Sequence, residues 1–214
     1  MRTRQEIKLQ AKACYHSDVG TSIGTYVVFA VIVAALSGMT FGIGALLIAP
    51  VLTIGFKFVM SRMYLGERGN IGDMFTQGFT GYARKLGGYL WMGLFIFLWT
   101  LLFYIPGIIK ALAYSMTPYI LANEPGVSAT DALKLSMRMT RGYKGQIFVF
   151  MLSFIGWELL SAFTCGILDL VFVGPYRELS MAGLYWELRA NAIATGAIAE
   201  EEFAGRTDTY NPQY

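Results

Sequence analysis

One signature recurs three times along this chain: a helix-capping residue, an acid three positions later, a glycine fourteen after the acid, then a proline inside an apolar run. The copies are Thr3, Glu6, Gly20, Pro50; Asn70, Asp73, Gly87, Pro118; and Ser128, Asp131, Gly145, Pro175. The acid-to-proline distances are 44, 45 and 44 residues, and Trp99 and Trp157 each follow their acid by 26. A period of 58 to 67 residues implies one supersecondary unit used three times.

The solvent of that unit follows from charge. The 214 residues are 55% hydrophobic and only 14% charged, with a mean hydropathy of +0.49. Soluble domains carry about 25% charge. A spanning helix needs ~20 mostly apolar residues. Six runs approach that length: 23–37, 42–63, 87–104, 108–121, 146–164 and 175–192. They pair into hairpins across a tight turn at Ser37-Gly38-Met39-Thr40, a break at Pro106-Gly107 and a turn over 165–174. A short amphipathic helix leads into each hairpin. Thr3 with Glu6 fits a capping box. After Asn70, the residues Ile71, Met74, Phe75, Phe79 and Tyr82 share one helical face, suited to the headgroup plane.

The expected fold is therefore all-α: a polytopic membrane protein of six transmembrane helices, built as three tandem helical-hairpin repeats, each preceded by an interfacial amphipathic helix. Residues 1–195 form a single integral membrane domain with units at about 3–66, 70–124 and 128–192. Residues 196–214, with Glu200-Glu201-Glu202 and Asn211-Pro212, read as a mobile cytoplasmic tail.

Orientation follows from the basic residues. Arg2, Arg4, Lys8 and Lys12 precede the first run. Arg62, Arg68, Arg84 and Lys85 lie between the second and third. Lys134, Arg138, Arg141 and Lys144 lie between the fourth and fifth, and Arg189 and Arg206 lie at the end. Fourteen of the 17 basic residues thus fall on one side, which the positive-inside rule makes cytoplasmic, with both termini. Two crossings per unit make these parallel repeats rather than inverted ones. Cys14 and Cys165 fall on opposite sides, so no disulfide is expected. Met1 to Gly20 lacks the apolar core of a cleavable signal peptide. The single His16 cannot anchor a histidine metal site, and no metal or cofactor is expected.

From Leu101 to Tyr185 specific stretches accumulate: Ile105-Pro106-Gly107-Ile108-Ile109, Ala113-Tyr114-Ser115-Met116, Tyr119-Ile120-Leu121-Ala122, Asp131-Ala132, Ser136, Leu152-Ser153-Phe154-Ile155-Gly156-Trp157 and Pro175-Tyr176. In these the chain resembles an uncharacterised bacterial polytopic membrane family, domain of unknown function nine-seven-five. Asn123 stands where the family often has an acid, and Met139-Thr140 where it has Leu-Met. The resemblance implies a bacterial plasma-membrane location and carries no activity.

Charges inside the runs are costly in hydrocarbon and are functional candidates by default. Lys110, Glu158, Arg177 and Glu178 form a candidate polar layer in the outer half, Glu158 lying ~19 Å from the cytoplasmic edge. Glu158 is expected to pair with Arg177 or Lys110. Such a layer locks adjacent hairpins or forms a vestibule for a solute or headgroup; alternatively Lys110 and Arg177 snorkel outward. Lys57 is expected to snorkel to the inner edge. Pro50, Pro106, Pro118 and Pro175 are candidate hinges or kinks. Gly38, Gly42, Gly44 and Gly87-Gly88 suit close helix approach. Trp91, Trp99, Tyr104 and Trp157 read as packing or interface anchors.

No nucleophile–base set, metal cluster or phosphate loop is visible, so the chain reads as no enzyme. The leading reading is a non-catalytic organiser or modulator of membrane partners or lipids. The alternative is a small-solute or lipid-like transporter or channel using the polar layer. Expected partners are the lipid bilayer, with anionic lipid at the cytoplasmic face, and a membrane protein. Dispersed basic residues speak against nucleic acid.

Overall fold

The computed structural model describes residues 2–39 and 43–205, and within them the chain is all-α. The helices are α1 (Arg4–Ser17), α2 (Val19–Met39), α3 (Ile43–Tyr64), α4 (Ile71–Phe79), α5 (Tyr82–Leu102), α6 (Tyr104–Tyr114), α7 (Thr117–Asn123), α8 (Ala129–Met139), α9 (Lys144–Leu152), α10 (Ile155–Phe163), α11 (Gly174–Ala194) and α12 (Glu200–Phe203). A π-helical turn, Asp169–Val173, precedes α11. α2 runs through Ser37 and Gly38; Thr40 and Gly42 of the expected turn region, and the tail from Arg206 on with Asn211-Pro212, lie outside the described residues.

The three caps form as their residue types dictate. Thr3 and Glu6 bond reciprocally, the Thr3 N–H to Glu6 Oε2 at 2.7 Å and the Glu6 N–H to Thr3 Oγ1 at 3.3 Å. The Gly72 N–H donates to Asn70 Oδ1 at 2.9 Å, and the Asp131 N–H donates to Ser128 Oγ at 3.2 Å. Hydrogen bonds from Ser128 and Lys134 hold the Asp131 carboxyl below its ordinary range.

Four stretches are long and apolar enough to cross a bilayer: Val19–Gly38, Leu46–Tyr64, Tyr82–Leu102 and Lys144–Phe163. The last is interrupted by a turn at Ser153-Phe154. The expected run at 108–121 is divided, because α6 ends at Tyr114 and α7 restarts at Thr117. The run at 175–192 is one continuous helix, but it carries Arg177, Glu178, Glu187 and Arg189. Protein covers most of its surface, so its charges need not meet lipid.

The surface is apolar as well as the interior. Leu94, Phe97, Leu98 and Leu101 of α5 and Leu159 and Phe163 of α10 are exposed. An apolar surface this extensive fits hydrocarbon rather than water. The interior is made by α3, α7 and α11; every residue from Thr117 to Ala122 is buried. The Tyr119 and Tyr185 rings stack at 5.6 Å, and Asn123 Nδ2 donates to Ser61 Oγ at 3.1 Å.

The helices expected at the headgroup plane, α1, α4 and α8, also pack on protein: Ile7, Ala11 and Tyr15, Met74, and Ala132, Leu135 and Met139 are buried, while Phe79 and Tyr82 of the expected α4 face stay exposed. α1 packs on α11, α4 on α3, and α8 on α6 and α7. α1 runs antiparallel to α11, with the Arg2 N–H bonded to Glu187 at 2.9 Å and the Tyr15 hydroxyl to the Val171 carbonyl at 2.7 Å. Ser136 Oγ donates to the Ala113 carbonyl at 2.8 Å, tying α8 to α6.

The prolines differ in role. Pro50 alone lies deep inside a helix, and the Tyr82 hydroxyl donates at 3.1 Å to the Leu47 carbonyl, beside the carbonyl Pro50 leaves without an amide. Pro118 sits in the first turn of α7, where a missing N–H costs nothing, whereas Pro175 follows directly on the π-helical turn, and the Tyr15 hydroxyl serves the Val171 carbonyl four residues before it. Pro106 sits in the first turn of α6, where Gly107 packs against Thr100.

The tail is corrected over 196–205, which docks. Ile198 and Phe203 are buried, and Arg138 bonds Glu202 at 2.5 and 3.1 Å. Burial pushes the Glu202 carboxyl up, but hydrogen bonds from Arg138 and the Ala199 N–H outweigh it and leave it below its ordinary range.

Candidate functional site

The three interior helices each contribute one side chain to a common point. Lys57 of α3 donates to Glu178 of α11 at 2.8 Å and to the Tyr119 hydroxyl of α7 at 3.2 Å. The Tyr119 hydroxyl donates to the same carboxylate oxygen at 3.4 Å. The Lys57 ammonium also lies 4.5 Å from the Tyr119 ring centroid, a cation–π distance. The Lys57 and Glu178 side chains are 16% and 14% exposed, so this pair is largely desolvated. Snorkelling of Lys57 to the inner edge is thus overturned: a buried carboxylate and a phenol satisfy the ammonium in place. α3 is apolar on every side, which hides from the sequence which face turns inward.

From Glu178 the network continues outward. Arg177 Nη2 lies 3.7 Å from Glu178, and Arg177 Nη1 donates to Glu158 of α10 at 2.5 Å. Arg177, Glu158 and Glu178 of the expected layer therefore meet. Lys110 does not join them; it lies 5.2 Å from the Trp99 ring and 5.8 Å from the Tyr114 ring, and makes no ion pair among the described residues. Toward the other end, Glu124 accepts from Arg189 at 2.8 Å and from Tyr185 at 3.2 Å. Arg84 donates to the Leu121, Glu124 and Val127 carbonyls at 2.9, 3.2 and 2.6 Å, satisfying the C-terminal end of α7.

A cleft of about 670 Å³ opens beside the charged cluster, between α6, α9–α10 and α11. Its walls are apolar, chiefly Ile108, Leu112, Phe148, Leu152, Ile155 and Met181. Lys57, Tyr119, Glu178, Arg177 and Glu158 line the same space. The cleft thus combines long apolar walls with one charged region, the arrangement an amphiphile needs.

One contact escapes sequence reading. Lys8 Nζ lies 2.5 Å from Ser153 Oγ and 3.9 Å from the Phe154 ring. The Ser153 hydroxyl donates to the Phe150 carbonyl, so it accepts from Lys8.

Neither the curated proteins nor the solved structures contain a significant match to the chain. A family model does match, over most of α11 and the cleft lining other than Lys57: residues 90–192 match DUF975, a protein of unknown function.

Proposed function

We propose that this chain is a multi-pass protein of a bacterial plasma membrane that holds a membrane lipid in the cleft beside Glu158 and Arg177. It acts without catalysis, organising lipid or the membrane proteins around it, and needs no cofactor and no nucleic acid. The carrying observation is the cleft itself, apolar from Phe148 to Ile155 and charged at Glu158 and Arg177. The wall extends along the end of α9 and the start of α10, on both sides of the Ser153-Phe154 turn, which gives an acyl chain a long apolar surface. A small polar solute would gain nothing from such walls. The alternative, a transporter or channel for a small solute or lipid-like molecule, draws on the charged line from Glu158 through Lys57 toward the bundle centre.

The same reading takes the chain as six crossings in three tandem hairpin units. The fourth crossing is broken at Ser115-Met116, and the sixth is α11, shielded by protein that includes α1, which runs back along it from Glu187 to Val171 and so enters membrane depth beside it. The packing order supports it. The leading helix of each unit touches the second arm of the unit before: α4 on α3, α8 on α6–α7 as well as on the first arm α5, and α1 on α11, so the series closes on itself. The second arms run in one direction, as parallel repeats require: Lys57 and Ser61 lie level with Tyr119 and Asn123, and Tyr64 packs beside Gly183 beyond the Lys57–Glu178 pair. The basic loops then face the cytoplasm with both termini, where each Lys or Arg near anionic lipid adds ~1 kcal/mol of attraction.

Filling the cleft tests the function. Ala111→Trp places an indole among the lining residues. Native mass spectrometry of the purified protein is expected to show bound phospholipid on the wild type and a several-fold loss on the variant. Equal retention by both would overturn the reading.

A further inference from the structure

We infer that the headgroup taken at this site is that of an aminophospholipid, with its phosphate on Arg177 and its primary ammonium on Glu158; this rests on the lipid reading above. Four charged side chains line the cleft, Lys57, Arg177, Glu158 and Glu178, and their formal charges cancel. Lys57 and Glu178 are turned inward on each other and on Tyr119. The reachable pair is Arg177 and Glu158, whose side chains are 32% and 45% exposed.

A ligand that binds Arg177 competes with Glu158, because Arg177 Nη1 already donates there at 2.5 Å. A purely anionic headgroup would take the guanidinium and leave the Glu158 carboxylate unpaired beside hydrocarbon. Orphaning a charge in a desolvated place is costly. A zwitterionic headgroup replaces the internal pair by two new ones, guanidinium with phosphate and carboxylate with ammonium, and the site stays neutral. Arg177 stays anchored during that exchange by Glu178 at 3.7 Å, and a guanidinium suits phosphate geometry.

The cationic half is further specified. A primary ammonium brings three N–H donors to Glu158, whereas a quaternary ammonium brings none and is recognised by aromatic cages. Trp157 and Phe148 are the exposed rings beside the cleft, and two rings do not enclose a quaternary ammonium as a cage does. Phe154 is buried and lies under Lys8, and Trp157 packs edge-on against Phe172.

The test is lipid competition on the full chain. Protein delipidated in detergent is exposed to mixed micelles holding equal amounts of phosphatidylethanolamine, phosphatidylglycerol and phosphatidylcholine of matched chains. Retained lipid is then identified by native mass spectrometry. Wild type is expected to retain phosphatidylethanolamine several-fold over the other two. Glu158→Gln is expected to lose that preference in favour of phosphatidylglycerol, because Arg177 can then take a phosphate without orphaning a carboxylate. Preference of the wild type for phosphatidylglycerol, or equal retention of the ethanolamine and choline lipids, overturns this inference and leaves the lipid site standing. Retention that Ala111→Trp does not reduce, or no retention at all, overturns both.

Discussion

Lys57→Met is expected to destabilise the protein by about 3–5 kcal/mol, among the largest effects of any single substitution in the chain. The methionine fills the lysine's space but leaves the Glu178 carboxylate without its 2.8 Å partner, at a site where both side chains are some six-sevenths covered. The Tyr119 hydroxyl at 3.4 Å and Arg177 at 3.7 Å are too distant to replace the ammonium. Lys57→Met combined with Glu178→Leu removes both charges and is expected to recover most of the loss, because an apolar pair of similar volume offsets a buried ion pair. Denaturant titrations in detergent, followed by tryptophan fluorescence, give both numbers. A single variant as stable as wild type, or a double variant no better than the single, would contradict a desolvated pair at the meeting point of α3, α7 and α11.

The second large effect is steric. A Cβ added at Gly55 of α3 would lie 1.9 Å from the Met74 carbonyl oxygen and 2.9 Å from the Gly78 Cα, all backbone of α4. Neither helix can yield by turning a side chain, so Gly55→Ala must part α3 from α4. Overpacking of this kind costs about 1–3 kcal/mol. Gly87→Ala is the contrast: nothing lies within 4 Å of a Cβ there, and α5 is regular helix. That change is expected to stabilise by up to about 1 kcal/mol through helix propensity alone. Hydrogen exchange should show faster opening of 71–79 in Gly55→Ala only. Matching behaviour of the two variants would mean that α3 and α4 do not touch through their backbones.

This contrast shows where the fold is legible in the sequence and where it is not. Apolar runs and caps identify α2, α3, α5 and α9–α10, because hydrocarbon demands the same residues along every exposed side. The run at 175–192 is visible too, but its charges hide that it is covered by protein. α11 faces protein, so it can hold Arg177 and Glu178 and fails a hydropathy criterion. The periodic glycines Gly20, Gly87 and Gly145 mark the starts of α2, α5 and α9, but a Cβ on any of them would meet nothing. Glycines that do pack, such as Gly55 on the α4 backbone, Gly88 on Leu121 and Gly183 on Tyr64, meet partners fixed only by the fold. The Glu158–Arg177 pair follows from sequence because isolated charges in apolar runs seek each other. Glu178 follows because it adjoins Arg177. Lys57 and Tyr119 do not, since they reach the cluster from distant crossings and only the packing of α3 and α7 on α11 brings them there. The docking of 196–205 depends on Phe203 and Glu202, whose partners Arg189 and Arg138 lie on other helices.

The proposed three hairpins, all entering from the cytoplasmic face, place their second arms side by side where Lys57, Tyr119 and Glu178 meet. Labelling with a membrane-impermeant thiol reagent tests this most directly, using the native Cys165 in Cys14→Ser protein and single cysteines at Arg68 and Arg141 in protein lacking both native thiols. All three positions are exposed on the protein surface. Cys165 is expected to react from outside, and positions 68 and 141 only from the cytoplasmic side. Labelling of positions 68 and 141 from opposite faces would contradict the parallel arrangement.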